Sequence, residues 1–206
     1  MPVDGDSSEN VIATKYQSLG LEEKGLSKRA FEYAYKGYQR LLKKKLINGS
    51  YLAICDMSQS SRHKRLYIVD MINNEVELNT YVAHGRNSGG EFATKFSNRP
   101  ESLQSSLGFY ITRNTYNGEH GLSLKIEGLE PGYNDKAMKR CIVIHGAGYM
   151  EESWLRNSTY MGRSYGCPAV PKKESNQIIN TLKNGNCLFI YHPSTKYLKA
   201  SKILNG

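Results

Sequence analysis

The residues best suited to chemistry lie in one stretch, CIVIHGAGYMEESWLRNSTYMGRSYGCPAV (141–170). Cys167 stands there between Gly166 and Pro168, and His145 ends an apolar run 22 positions earlier. A cysteine attacks a carbonyl carbon as its thiolate, and a nearby imidazole takes its proton or pairs with it as a cation. The two need not adjoin in sequence. The base needs a rigid strand end, and the nucleophile needs a shaped turn. Gly146 gives His145 a bare neighbour whose carbonyl is placed to orient the ring. Gly166 allows a tight turn before the thiol. Pro168 has no N–H, so an oxyanion hole built here draws on the amides of Tyr165, Gly166 or Cys167. By residue type alone, an inert buried cysteine is the commoner case.

The elements that must hold these residues are mostly strands. LSKRAFEYAYKGYQRLLKKKLING (26–49) is the clearest helix, with Phe31, Ala34, Tyr35, Tyr38, Leu41, Leu42 and Leu46 at helical spacing. Ser27 is its expected N-cap, Leu26 and Phe31 its hydrophobic staple, and Asn48-Gly49 its stop. YLAICDM (51–57) reads as a strand, and RLYIVDM (65–71) with EVELNTYVA (75–83) as a hairpin through Asn73-Asn74. SLGFYITR (106–113), CIVIH (141–145) and CLFIYH (187–192) complete the apolar strands. SNQIINTLKN (175–184) reads as a short helix ended by Gly185, and KYLKASKIL (196–204) as a final strand. A polar loop runs from about 85 to 106, and long loops on a rigid sheet scaffold are where sites are carried. The expected class is mainly β (β-rich α+β). The expected order is a flexible tail at 1–25, a packed helix at 26–49 and one domain at 50–206.

Bulk composition narrows the options. At 206 residues with 39% hydrophobic content, the chain supports one compact domain. Its net charge of +9 is spread along the sequence, and Lys43-Lys44-Lys45 sits where a helix ends, as the helix dipole favours. With no nucleic-acid motif, no nucleic-acid partner is expected. No apolar run reaches the ~20 residues of a membrane span, and no hydrophobic signal peptide is visible. Of the four cysteines, none forms a CxxC pair. Cys55, Cys141 and Cys187 lie in apolar runs and read as small buried hydrophobes, with a disulfide among them left open. There is no HExxH, and nothing in the spacing of His120, His145 and Cys167 demands a metal, so neither metal nor cofactor is expected.

HGA followed by GRSYGCPAV resembles the signature of the murein L,D-transpeptidase catalytic domain family (YkuD-like), in which a histidine precedes Ser/Thr-His-Gly-Cys. SLGFYIT, YNGEHGLSLKIEGLEPGYND and RCIVIHGAGY extend the likeness, which runs from about Tyr51 to His192. The resemblance implies a β-sandwich or barrel scaffold with peripheral helices. It implies a peptidoglycan stem peptide as substrate and Cys167 as the nucleophile that forms a thioester with it. His145 would be general base and then acid, the Gly146 carbonyl would orient it, and the Tyr165–Cys167 backbone would hold the oxyanion. An amine acceptor makes the enzyme a transpeptidase, and water makes it an L,D-carboxypeptidase. A non-catalytic wall-binding module is the reading from another class. The chain departs from the signature at Tyr165, where the family carries histidine, and this bears on acceptor choice and the sulfur's surroundings.

Substrate-binding candidates on the same basis are Arg163, His120, Tyr149, Trp154 and Ser164. Arginine suits a stem carboxylate because its fork matches two oxygens, although a solvated loop arginine is equally ordinary. His120 is either a surface histidine or a cleft residue. Tyr149 and Trp154 either form a lid that excludes water or anchor their loop. Murein lies outside the inner membrane, so the expected location is the periplasm or cell envelope, although no export signal is visible in this sequence.

Overall fold

A computed structural model describes residues 4–206. The helices are α1 (Asp4–Ser18), α2 (Lys28–Lys43), α3 (Lys172–Leu182), α4 (Thr195–Ala200) and α5 (Lys202–Asn205). The strands are β1 (Tyr51–Asp56), β2 (Leu66–Asp70), β3 (Glu75–Thr80), β4 (Gly108–Gly118), β5 (Gly121–Gly128), β6 (Val143–Ala147), β7 (Ala169–Pro171) and β8 (Cys187–Tyr191). All eight strands join one mixed sheet in the order β3-β2-β1-β8-β4-β5-β6-β7. The β1–β8 and β6–β7 pairs are parallel, and the others antiparallel. The class is β-rich, as the sequence indicates.

The central strands β1, β2 and β8 are buried along almost their whole length, as fully covered strands must be. Phe109 of β4 stands opposite Phe189 of β8, and their rings stack at 4.1 Å. α2 lies against this pair. A Cβ at Gly37 would fall 2.0 Å from the Phe109 ring, so only glycine lets the helix approach so closely. The Ser27 side chain accepts the Ala30 N–H at 3.2 Å and starts α2, with Leu26 and Phe31 both buried in the core beside it. The helix stops earlier than Asn48-Gly49. Lys45 takes φ +55, and the paired bonds Lys45 N to Leu42 O (2.9 Å) and Leu46 N to Leu41 O (3.0 Å) close a Schellman-type end.

Two further regions differ from the sequence reading. Residues 196–204 form α4 and α5 rather than a strand. Ser194 caps the first by accepting the Tyr197 N–H, and Ser201 caps the second by accepting the Leu204 N–H. The polar N-terminal stretch is mostly helical. Its first three residues lie outside the described structure, but α1 packs on α2, with Tyr16 donating its hydroxyl to Leu26 O at 2.6 Å. Among the described residues, no helix is long and apolar enough to cross a membrane.

Candidate active site

The site forms at the β5-β6-β7 end of the sheet. β6 runs between the other two with Ser123, His145 and Ala169 in register, so the sheet fixes His145 from both sides. His145 is 3% exposed. Its Nδ1 lies 3.1 Å from Gly146 O. A carbonyl oxygen only accepts, so Nδ1 carries the proton and Nε2 is left with its lone pair. Burial lowers the His145 pKa, His120 lowers it further, and the bond to Gly146 opposes both. Position 146 must be glycine because α3 crowds it: a Cβ there would sit 2.5 Å from Ser175 Oγ.

Cys167 ends a turn pinned at several points. Gly166 takes φ +125, and a Cβ there would come within 2.8 Å of Gln104 O. Ser164 Oγ accepts the Gly166 N–H at 3.0 Å and donates to Cys167 O at 2.6 Å. Ser164 N–H donates to His84 O, and Arg86 N–H donates to Ser164 O, at 3.0 and 2.8 Å. Ser164 is 4% exposed, and its hydroxyl is occupied within the turn. The Gly166 amide is likewise taken. Among the described residues, the Tyr165 and Cys167 amides have no hydrogen-bond acceptor.

The thiol is half-buried and lies 3.8 Å from Cys141 O. Burial raises its pKa, outweighing the Val143 amide and the Arg140 guanidinium, which pull it down. Thiol and imidazole therefore rest neutral rather than as an ion pair. Ala169 pairs with His145, so Cys167 lies two residues before the strand partner of His145, in a tight turn where the Ala169 N–H donates to Cys167 O at 3.0 Å. Among the described residues, no hydrogen bond joins the two side chains at rest.

Both groups line one cavity of about 1010 Å³, which also takes in His120, Tyr149, Trp154, Arg163 and Ser164. The β4–β5 hairpin turns at Glu119-His120 and lays the His120 ring on His145, with centroids 4.3 Å apart and planes at 21°. Tyr149 meets Trp154 edge-on at 6.5 Å. Gly162 is glycine because the Tyr149 ring would lie 2.4 Å from its Cβ. Arg163 is tied down: Nη1 donates to Arg86 O at 3.3 Å and Gly89 O at 3.0 Å, and the guanidinium covers Tyr160.

Sequence reasoning missed Arg86, Arg140 and Cys141, all of which line the cavity. Arg140 had no local pattern to betray it. Its side chain donates to Ser97 O, Ser106 Oγ, Ser102 Oγ and Gln104 O, gathering the polar loop against the Cys167 turn. Cys141 is not a buried hydrophobe. It is exposed at φ +54 in the turn before β6, because the apolar run that suggested burial begins one residue later. Cys55 and Cys187 are buried, and all four thiols are free.

A search of curated proteins finds no match. Among solved structures, an L,D-transpeptidase from Mycobacterium smegmatis is similar at 10% identity and a TM-score of 0.43, over 70% of this chain and 60% of that one. An Enterococcus faecium L,D-transpeptidase matches at 12% identity and 0.43, over 70% and 50%. The helical cell shape determining protein of Campylobacter jejuni matches at 15% identity and 0.41, over 82% and 61%. The chain thus spans 50–61% of the length of these proteins. A sequence profile described as the L,D-transpeptidase catalytic domain matches residues 22–191, most of the chain, and the chain belongs to that family.

Proposed function

We propose that this protein is a peptidoglycan L,D-transpeptidase that works through Cys167 and acts in the cell envelope. The observation that carries the reading is the His145 tautomer. With Nδ1–H held by Gly146 O, Nε2 is an open base on the wall of the cavity that Cys167 also lines. The sulfur attacks the carbonyl carbon of an L-to-D peptide bond in a stem peptide while Nε2 takes the thiol proton. The Tyr165 and Cys167 amides stabilise the oxyanion. Collapse breaks the C–N bond, His145 returns the proton to the leaving amine, and a thioester remains. An acceptor amine then attacks, gives its proton to His145 and expels the thiolate, which takes that proton from His145 and restores the thiol. Because the thiol faces Cys141 O and, among the described residues, no hydrogen bond joins it to Nε2 at rest, substrate entry is accompanied by rotation of the thiol from Cys141 O towards Nε2.

The test is incubation with defined tetrapeptide muropeptides. Cross-linked dimer supports transpeptidation. Tripeptide with a free D-amino acid supports the carboxypeptidase alternative. Neither product from a reduced, folded sample overturns the catalytic reading and leaves the wall-binding module.

A further inference from the structure

Three guanidiniums line the cavity, against a single carboxylate, Glu119. They are not equivalent. Arg140 spends both terminal nitrogens on the polar loop. Arg163 spends Nη1 on two carbonyls and lies flat on Tyr160. Arg86 is exposed, and among the described residues its side chain has no hydrogen-bond or ion-pair partner. Among the described residues, its guanidinium carbon lies 6.0 Å from the ring of Tyr165.

The backbone beneath Arg86 is held firmly. Its N–H donates to Ser164 O at 2.8 Å, inside the nucleophile turn, and the Gly85 N–H donates to Ser105 Oγ at 3.0 Å. A Cβ at Gly85 would come within 2.4 Å of Leu103 O. Below lies His84, fully buried, whose Nδ1 accepts from Arg65 Nη2 at 2.7 Å. Arg86 is thus an unspent cation on a rigid footing, beside the Tyr165 ring on the cavity wall. Such a site selects a planar anion that the fork can hold through two parallel bonds. Tyr165, 68% exposed, supplies a face that keeps the guanidinium over the cavity.

We infer that Arg86, and not Arg163, is the residue that holds a free carboxylate of the bound stem peptide and discriminates it from a carboxamide. This rests on the stem-peptide reading above. The carboxylate has two sources, the C-terminal D-residue and the side chain of the third residue, and the experiment separates them.

Trp154 is the only tryptophan of the chain, lines the cavity and is 43% exposed, so its fluorescence reports binding without turnover. In the Cys167→Ala background, three tetrapeptide stems are titrated: the free acid, its C-terminal amide and its third-residue amide. The expected result is a Kd about tenfold higher for one amide than for the free acid. Arg86→Gln should raise the free-acid Kd to that same level and leave that amide's Kd unchanged, with Arg86→Lys in between. The amide that loses affinity names the source. Equal affinity for all three stems, loss of affinity for every stem alike in Arg86→Gln, or no binding at all overturns the inference. An equal discrimination carried by Arg163→Gln instead also overturns it. Turnover of the parent protein on the same stems tests the underlying reading separately, since the titration needs no catalysis.

Discussion

Glu130 and Cys167 are both ionisable groups withdrawn from water, and they are treated in opposite ways. Glu130 is 3% exposed, and each of its oxygens is engaged. Oε2 accepts the Phe109 N–H at 2.9 Å and the Tyr197 hydroxyl at 2.7 Å, and Oε1 accepts the Ser201 hydroxyl. Burial pushes its pKa up, and these three donors pull it back. The cluster ties β4 to α4 and α5 and has no open valence. Cys167 has one long contact to a carbonyl and the Val143 amide nearby, and among the described residues it stands beside two amides without acceptors and an imidazole with a bare Nε2. Buried polar groups are normally satisfied. Where they are, they fasten elements together. Where they are not, and a cavity adjoins them, the missing partner is a ligand.

The largest effects should fall on the open side. Cys167→Ala should lower turnover at least about 10³-fold, because the covalent route is gone. His145→Ala should lower it roughly 10²–10⁴-fold through loss of the base. Cys167→Ala should move the thermal midpoint by no more than a few degrees, since Cys167 makes no strong bond in the fold, whereas His145→Ala also removes a buried ring and its bond to Gly146 O and should lower the midpoint further. Steady-state assays with calorimetry on the same samples check both halves. A large stability loss in Cys167→Ala would break the contrast by making the thiol structural.

The closed side predicts the reverse. Glu130→Ala strands three buried donors and should cost about 3–9 kcal/mol of unfolding free energy, at roughly 1–3 kcal/mol for each group left unpaired. The fraction that remains folded should keep its kcat. Urea denaturation with activity corrected for folded protein measures this. A kcat loss larger than the folded fraction explains would mean that the cluster positions the cavity as well as the C-terminal helices.

The contrast also explains what could be read from residue order. β1, β2 and β8 are short apolar runs, α2 carries a strong helical stripe, and Gly166-Cys167-Pro168 announces a constrained turn. Those signals are local. β5 was missed because Gly121 and Gly128 frame it. Gly128 is there for packing, since a Cβ would lie 2.0 Å from Asn134 O. β7 has only three residues and ends on Pro171, which an edge strand tolerates. α4 and α5 lie in KYLKASKIL, where Tyr197, Leu198 and Leu204 are buried at helical spacing, and the caps Ser194 and Ser201 set where each short helix begins. Ser164 and Arg163 looked free in sequence and are occupied in space. Arg86 had no motif, and its availability follows only from what the other two arginines already hold.

Between the two extremes lies His84, satisfied yet beside the cavity. Its Nδ1 must accept from Arg65, because a guanidinium has no acceptor, so the ring is neutral with Nε2–H facing Gly89 O at 3.4 Å. Burial, and then the Arg65 charge, lower its pKa to about 4. The unfolded chain binds this proton from about pH 6.5 downwards, whereas the folded chain refuses it until about pH 4. Stability present above pH 6.5 is therefore lost as pH falls towards 4, by roughly 3 kcal/mol. His145 and His192, also lowered by burial, add in the same direction. Urea midpoints at pH 7 and pH 4.5 check this. His84→Gln should flatten the profile, and an unchanged slope would assign the acid sensitivity to other groups.

The smallest effect is the most discriminating for the thiol. With burial dominant, the Cys167 pKa lies above the ordinary cysteine value, so at neutral pH iodoacetamide should alkylate it more slowly than a free thiol. Each unit of upward shift removes about tenfold of the thiolate. The measurement belongs in a Cys141→Ser background, because Cys141 is exposed and would react too, whereas Cys55 and Cys187 are buried. The alkylation rate should climb through neutral pH with no plateau. Acylation by a stem peptide should nevertheless proceed there, because His145 takes the proton only as the sulfur attacks. A plateau between pH 5 and 7 would show a standing thiolate–imidazolium pair. Cys167 would then be as fully partnered at rest as Glu130, and the contrast between open and closed sites would have to be drawn elsewhere.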